Sequence, residues 1–332
     1  MRLLYVAMKH DYGEPSRGDS FEQTNFKSAL DGMGHEVVQF DFMERERAVG
    51  RRKMREELVA AARSSSPDVV FLFLFEDQID PATLRRVGQA AKAPTVNWFA
   101  DDHWRFDRFT SRIAPSLDWS VTTDEDSLPR YASIGVKNVI LSQWACNRYA
   151  YRPTDGPLEH GVTFVGQPHA DRPQIIEALR QSGVAAECWG LGWPAGRLTH
   201  DQMVRVFGTS AINLNLANSS LPPNTLRVRA GRALGRGPKG KRPTQIKGRT
   251  FEVPGCGGFE LTERVPHLER YFDLGRELAV YDSLPDLIEQ TKYWLENEAE
   301  RATIAEAGYR RVMAEHTYDH RFEEIFDRVG IG

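Results

Sequence analysis

KGRTFEVPGCGGFELTE, residues 247–263, is the stretch from which the rest of the chain can be read. It predicts a helix opened by a basic pair, closed by glycines and followed at once by a short strand. Arg249, Thr250, Phe251 and Glu252 make the opening turn, and Pro254 is compatible only with the first turn of such a helix. Gly255, Gly257 and Gly258 then allow a sharp turn into Phe259, Glu260, Leu261 and Thr262. A helix N-terminus beside Lys247 and Arg249 suits a diphosphate, because free N–H groups and two cations converge there. Glu252 has the chemistry to accept hydrogen bonds from a ribose diol. A solvated helix-to-strand corner would use the same residues.

Working outward, the 332 residues suggest two domains. Hydrophobic residues at 41% and charged residues at 27% are those of a soluble globular protein. A formal net charge of -3 argues against a surface devoted to nucleic acid, and no apolar run reaches the length of a membrane span. The start, MRLLYVAMKHDYG, reads as a first strand rather than a signal peptide. The three cysteines, Cys146, Cys188 and Cys256, are widely spaced and fit reduced thiols, so a cytoplasmic location is expected.

The first half alternates strand and helix. Strands are expected at 3–8, 36–42, 68–75, 95–99, 119–122 and 138–141, and helices at 21–32, 44–64 and 81–91. DVVFLFLF at 68–75 is an uninterrupted apolar run, as in a parallel sheet buried on both faces. Such a doubly wound sheet binds ligands at the carboxyl ends of its strands. Lys9, His10 and Asp11 fall at one such end, and Asp101, Asp102 and His103 at another. Paired carboxylates beside an imidazole can orient a hydroxyl, take its proton or bind a cation. The same acids would also serve as a helix cap.

PTDGPLEHG at 153–161 is the linker expected between domains 1–155 and 156–315. A second βαβ series follows, with strands at 162–165, 187–189, 211–216 and 278–281 and helices at 173–181, 199–208, 284–297 and 299–315. Between them, residues 227–247 carry arginine and lysine without a single acid, and glycine and proline recur, so a mobile loop is expected. Such a loop, taken as 227–249, could close over phosphates, dock an anionic acceptor or bind RNA nonspecifically. It has no aromatic residue on which a base could stack.

Several motifs, in order, resemble GT-B glycosyltransferases of the CgeB-like (spore-maturation-protein-B-like) group, with the group 1 type of C-terminal domain. They are FVG followed by Asp171-Arg172, W-G-x-G-W at 189–193, INLNL at 212–216, R-x-F-E-x-P-x-C-G-G-F at 249–259 and H-T-Y-x-H-R at 316–321. Before residue 162 the likeness rests mainly on NWFADDHW. The resemblance implies two Rossmann-like doubly wound domains facing across a cleft, with a final segment, 316–332, returning to the first. It implies a hexosyltransferase-like enzyme that moves a sugar from a nucleoside-diphosphate sugar, such as a UDP sugar, to an acceptor hydroxyl. Glu252 would bind the donor ribose. Gly166, Arg172, Lys247, Arg249 and Thr250 would serve the diphosphate. Trp189, Gly190 and Trp193 would lie near the base, and Asn215 and Asn218 near the diphosphate or sugar. Asp101, Asp102 and His103 would handle the acceptor proton. No metal or other cofactor is expected, because the cations would carry the diphosphate charge, although Asp101-Asp102 keeps a metal alternative open. Related retaining enzymes carry two glutamates eight positions apart. Here the first would fall on Thr244, while Glu252 and Glu260, which do have that spacing, are read as a coincidence. Retention or inversion therefore stays open, as do a nucleotide-sugar epimerase and a noncatalytic binder of RNA or another anionic polymer.

Overall fold

The computed structural model of the chain describes residues 1–154, 156–217 and 245–332. Asn218 and residues 227–244 of the basic loop lie outside the described residues. Packing divides the chain into Met1–Gln143 with Tyr318–Gly332, and Trp144–Thr317. The first division therefore falls at 143/144, not at 155/156, since Cys146 and Tyr151 are buried in a core of the second unit.

The first unit is built on six parallel strands in the order β2-β1-β3-β4-β5-β6. They are β1 (Arg2–Val6), β2 (Glu36–Phe40), β3 (Val69–Leu72), β4 (Thr95–Phe99), β5 (Trp119–Thr122) and β6 (Val139–Leu141). Every residue of β3 and β4 is buried, as continuous apolar runs covered on both faces require. The run at 68–75 yields a shorter strand than expected, and Leu74 donates its N–H to Asn97 Oδ1 at 3.0 Å. The helix expected at 44–64 is two, Phe42–Val49 and Arg51–Ser65, because Gly50 sits at φ 81° between them. The one expected at 21–32 begins as a π-helix, Glu22–Lys27, before Ser28–Gly32.

The terminal helix Tyr318–Val329 belongs to this first unit. Phe26 meets Tyr318 at 4.9 Å and Phe322 at 5.5 Å between ring centroids, and Phe71 meets Phe322 at 5.6 Å. Burying each such ring stabilises the unit by roughly 1.5–3 kcal/mol, so this helix is part of the core.

The second unit has five parallel strands in the order β11-β10-β9-β7-β8. They are β7 (His160–Val165), β8 (Ala186–Trp189), β9 (Ser210–Asn215), β10 (Glu260–Glu263) and β11 (Ala279–Tyr281). The chain leaves β7 for β8 on one side and returns to β9 on the other, so the winding reverses between β7 and β9. A ligand crevice is expected at that reversal, beyond the strands' carboxyl ends.

Strand alternation gives the sheet two unlike faces. Val162, Phe164, Ile212, Leu214 and Leu261 pack with Leu179, Leu287, Trp294 and Ile304. The alternate residues Thr163, Asn213, Asn215, Glu260 and Thr262 are polar, and all are buried. Thr163 donates to Asn213 Oδ1 at 3.1 Å, and Asn213 Nδ2 donates to the carbonyls of Phe207 and Phe259 at 3.0 and 3.2 Å. A buried polar atom left without a partner costs about 1–3 kcal/mol, so this layer constrains what packs on it.

Candidate functional site

The helix of the opening stretch is Arg249–Gly255, and β10 follows it. Two expectations about it need correction. Pro254 lies past the first turn, and a helix of 7 residues tolerates it because only its last turn loses a hydrogen bond. The opening N–H groups are also occupied: Thr250 N donates to Lys247 O, and Phe251 N and Glu252 N donate to Gly248 O. What this stretch offers an anion is therefore chiefly its cationic side chains, since these three N–H groups are used.

Arg172 is the first residue of the Arg172–Gln181 helix, which follows β7. Its Nη1 donates to Gln167 O at 3.0 Å and its Nη2 to Leu216 O at 2.8 Å. One guanidinium thus ties the loop after β7 to the residue after β9, at the point where the winding reverses. Burial, then the nearby charge of Arg249, pulls its pKa down to about 10, and it remains a cation at neutral pH. Arg172 Nε and Arg249 Nε are both buried without a hydrogen-bond partner among the described residues, and neither guanidinium has an ion pair there. Two repelling cations with spare donors can bind an anion.

Around them the expected donor residues fall into two groups. Asn215, Arg249, Thr250 and Glu252 come together: Asn215 Nδ2 donates to Thr250 Oγ1 at 3.1 Å, and Arg249 is the main charge acting on Glu252. Glu252 is only 4% exposed, and burial raises its pKa, opposed by Arg249, by a hydrogen bond from Tyr151 and by His200. Lys247 precedes this helix and is partly buried.

The second group shapes a turn. Gly190 stands at φ 142°, and a Cβ there would lie 2.3 Å from Gly166 O. Trp193 Nε1 donates to that same oxygen at 2.7 Å, and Gly166 N donates to Trp189 O at 2.7 Å. The indole N–H of Trp193 is therefore already used within the protein. The ring of Trp189 is edge-on to His160, the first residue of β7, at 5.4 Å. These contacts fix the W-G-L-G-W turn.

In the first unit, the cluster after β4 separates into distinct roles. Asp101 is half-exposed, pairs with Arg105 Nε at 3.3 Å and makes no side-chain cap bond. Asp102 is fully buried. Its Oδ1 accepts from Thr110, and its Oδ2 from Thr122 and Tyr131, each at 2.6 Å. Burial raises its pKa to about 6 despite those three donors. Its expected catalytic role is corrected accordingly: both oxygens are spent fastening the short helices after β4 to β5 and to the Leu128–Ser133 helix. His103 is buried at 7% exposure.

Three contributors were not anticipated: Tyr151 and His200 beside Glu252, and Glu260. Tyr151 lies just before the stretch read as linker, and His200 caught no sequence signal. Glu260 is the first residue of β10, and its burial on the polar face of the sheet is not visible in the sequence. Among the described residues no group of three or more His, Cys, Asp or Glu could hold a metal ion, and no helix is long and apolar enough to cross a membrane.

Two parallel-sheet units of this kind define the GT-B architecture of glycosyltransferases, and residues 172–327 match the Glycosyl transferase-like family model. The chain thus has a GT-B fold and carries a glycosyltransferase-like domain. No curated protein matches it significantly. Among solved structures, a glycosyltransferase from Rickettsia africae ESF-5 aligns with TM-score 0.65 and 9% identity, over 99% of this chain and 98% of the other. Sucrose-phosphate synthase from Thermosynechococcus elongatus aligns with TM-score 0.62 and 11% identity over the same shares. Anabaena Alr3699/HepE in complex with UDP and glucose aligns with TM-score 0.62 and 12% identity, over 98% of each chain. At such identities the likeness is one of fold.

Proposed function

We propose that the protein transfers a hexose from a nucleoside-diphosphate sugar to an acceptor hydroxyl, within the CgeB-like group, and that the second unit binds the donor at the carboxyl ends of β7 and β9. The observation that carries this reading is the pair Arg172, at the winding reversal, and Arg249, two cations from distant parts of the sequence whose Nε–H groups are buried without a hydrogen-bond partner among the described residues. Sugar transfer builds negative charge on the departing diphosphate, and fixed cations aimed at it lower the barrier. Arg172 and Arg249, with Lys247, would supply that charge without a metal, so transfer should persist in EDTA. Glu252 is assigned to the ribose diol, which would displace the bond from Tyr151. Asp101 and His103 are assigned to the acceptor proton. UDP is the first nucleotide to test, since Anabaena Alr3699/HepE was crystallised with UDP and with UDP-glucose.

Titration calorimetry with UDP, GDP and dTDP tests the reading. Binding of one of them, weakened by Arg249→Ala, supports it. No binding of any, together with salt-dependent binding of RNA, would replace it by the polymer-binding alternative. An epimerase would instead convert the nucleotide sugar with no acceptor present.

A further inference from the structure

Glu260 opens β10, is 2% exposed and is absent from the roles assigned so far. Its Oε1 accepts from Asn215 Nδ2 at 2.7 Å, and the same nitrogen donates to Thr250 Oγ1. Asn215 ends β9, and Thr250 lies between Arg249 and Glu252 in the Arg249–Gly255 helix. One carboxyl therefore fixes how the end of β9 meets the turn that carries both Arg249 and Glu252. Its second oxygen, Oε2, is buried without a hydrogen-bond partner among the described residues. We propose that Glu260 is a positioning residue of the nucleoside-diphosphate site, holding Thr250, and with it Arg249 and Glu252, through the Asn215 amide. This rests on the donor-binding reading above.

The charged groups facing Glu260 are Arg249 and Glu252, both on the helix. Asn215 on β9 and Thr262 on its own strand supply neutral contacts. Two buried carboxyls thus share a single guanidinium. Burial, with Glu252 adding to it, raises the Glu260 pKa to about 8 against the Asn215 bond and the charge of Arg249. Glu260 is accordingly protonated at neutral pH, which leaves the positive charge of Arg249 to Glu252 and to an anionic ligand. Ionisation above pH 8 adds a negative charge beside Arg249, so nucleotide affinity falls as pH rises.

The test is calorimetry with UDP, GDP and dTDP between pH 6.5 and 9.5 on the full chain and two variants. Glu260→Gln keeps the acceptor for Asn215 and removes the ionisation. It should bind like the wild type at pH 7 and keep its affinity at pH 9.5, where the wild type weakens several-fold. Glu260→Ala strands the Asn215 amide and should lose about tenfold or more at pH 7. If that variant does not fold, the pH comparison of wild type with Glu260→Gln decides alone. Parallel pH profiles for those two proteins would overturn the proposal, as would wild-type affinity in a folded Glu260→Ala. Absence of any nucleotide binding by the wild type would instead remove the donor site itself.

Discussion

Replacing Arg172 by Met removes the guanidinium while keeping a side chain of similar length, and the structure allows its two consequences to be weighed. The first is stability. Two charge-assisted bonds, to Gln167 O and Leu216 O, disappear, at roughly 1.5–3 kcal/mol each. Against that, the native guanidinium is disfavoured by burial and by Arg249, which lower its pKa from 12.5 to about 10. Such a displacement corresponds to about 3 kcal/mol, which the variant recovers. These terms largely offset, so net destabilisation should stay within about 3 kcal/mol. The second consequence is binding. Removing one partner of a desolvated charge pair costs roughly 2–5 kcal/mol. Because Arg172 is only partly buried, the low end applies, about 2–3 kcal/mol, or about 30- to 150-fold in Kd. Calorimetry with UDP and thermal melting of the same samples separate the two effects. A dissociation constant within twofold of wild type, in a protein that melts normally, would refute the assignment of Arg172 to the diphosphate.

Glu252→Ala should weaken nucleotide binding at least tenfold, and calorimetry that gives an unchanged affinity would remove it from the site. His103→Ala should leave nucleotide affinity within twofold while slowing transfer more than tenfold, read by a coupled assay of nucleoside-diphosphate release; full activity would free His103 of a catalytic role. Gly190→Ala should destabilise the protein by about 3 kcal/mol or more, because its Cβ meets Gly166 O at 2.3 Å and its φ of 142° suits glycine; a melting temperature within two degrees of wild type would contradict this. Asp102 has a pKa raised in the fold to about 6, from 3.8. Its contribution is thus complete below about pH 4 and is lost as pH rises through 6, about 3 kcal/mol in all. Asp102→Asn should flatten stability across that window in denaturant titrations, and an unchanged slope would count against it.

The parallel sheets were legible because apolar runs such as VVFL and alternating strands such as INLN carry their period in the residues themselves. The helix boundaries were less so: Gly50 breaks a continuous amphipathic pattern by its φ, which composition does not reveal. Within the candidate site, Arg172, Arg249, Thr250 and Glu252 were named from motif order, and the fold brings them to one region. Asp102 misled because sequence reports what a side chain can do and not whether its polar atoms are already used. Thr110, Thr122 and Tyr131 take the carboxylate. Glu260 was dismissed for its place on a strand, yet it is the polar underside of that sheet that gives it contact with Asn215.

The most direct measurement is a crystal structure of the protein grown with UDP. The account predicts diphosphate oxygens about 3 Å from the guanidinium groups of both Arg172 and Arg249, with the ribose hydroxyls against Glu252. Nucleotide bound elsewhere, with both guanidinium groups untouched, would contradict it.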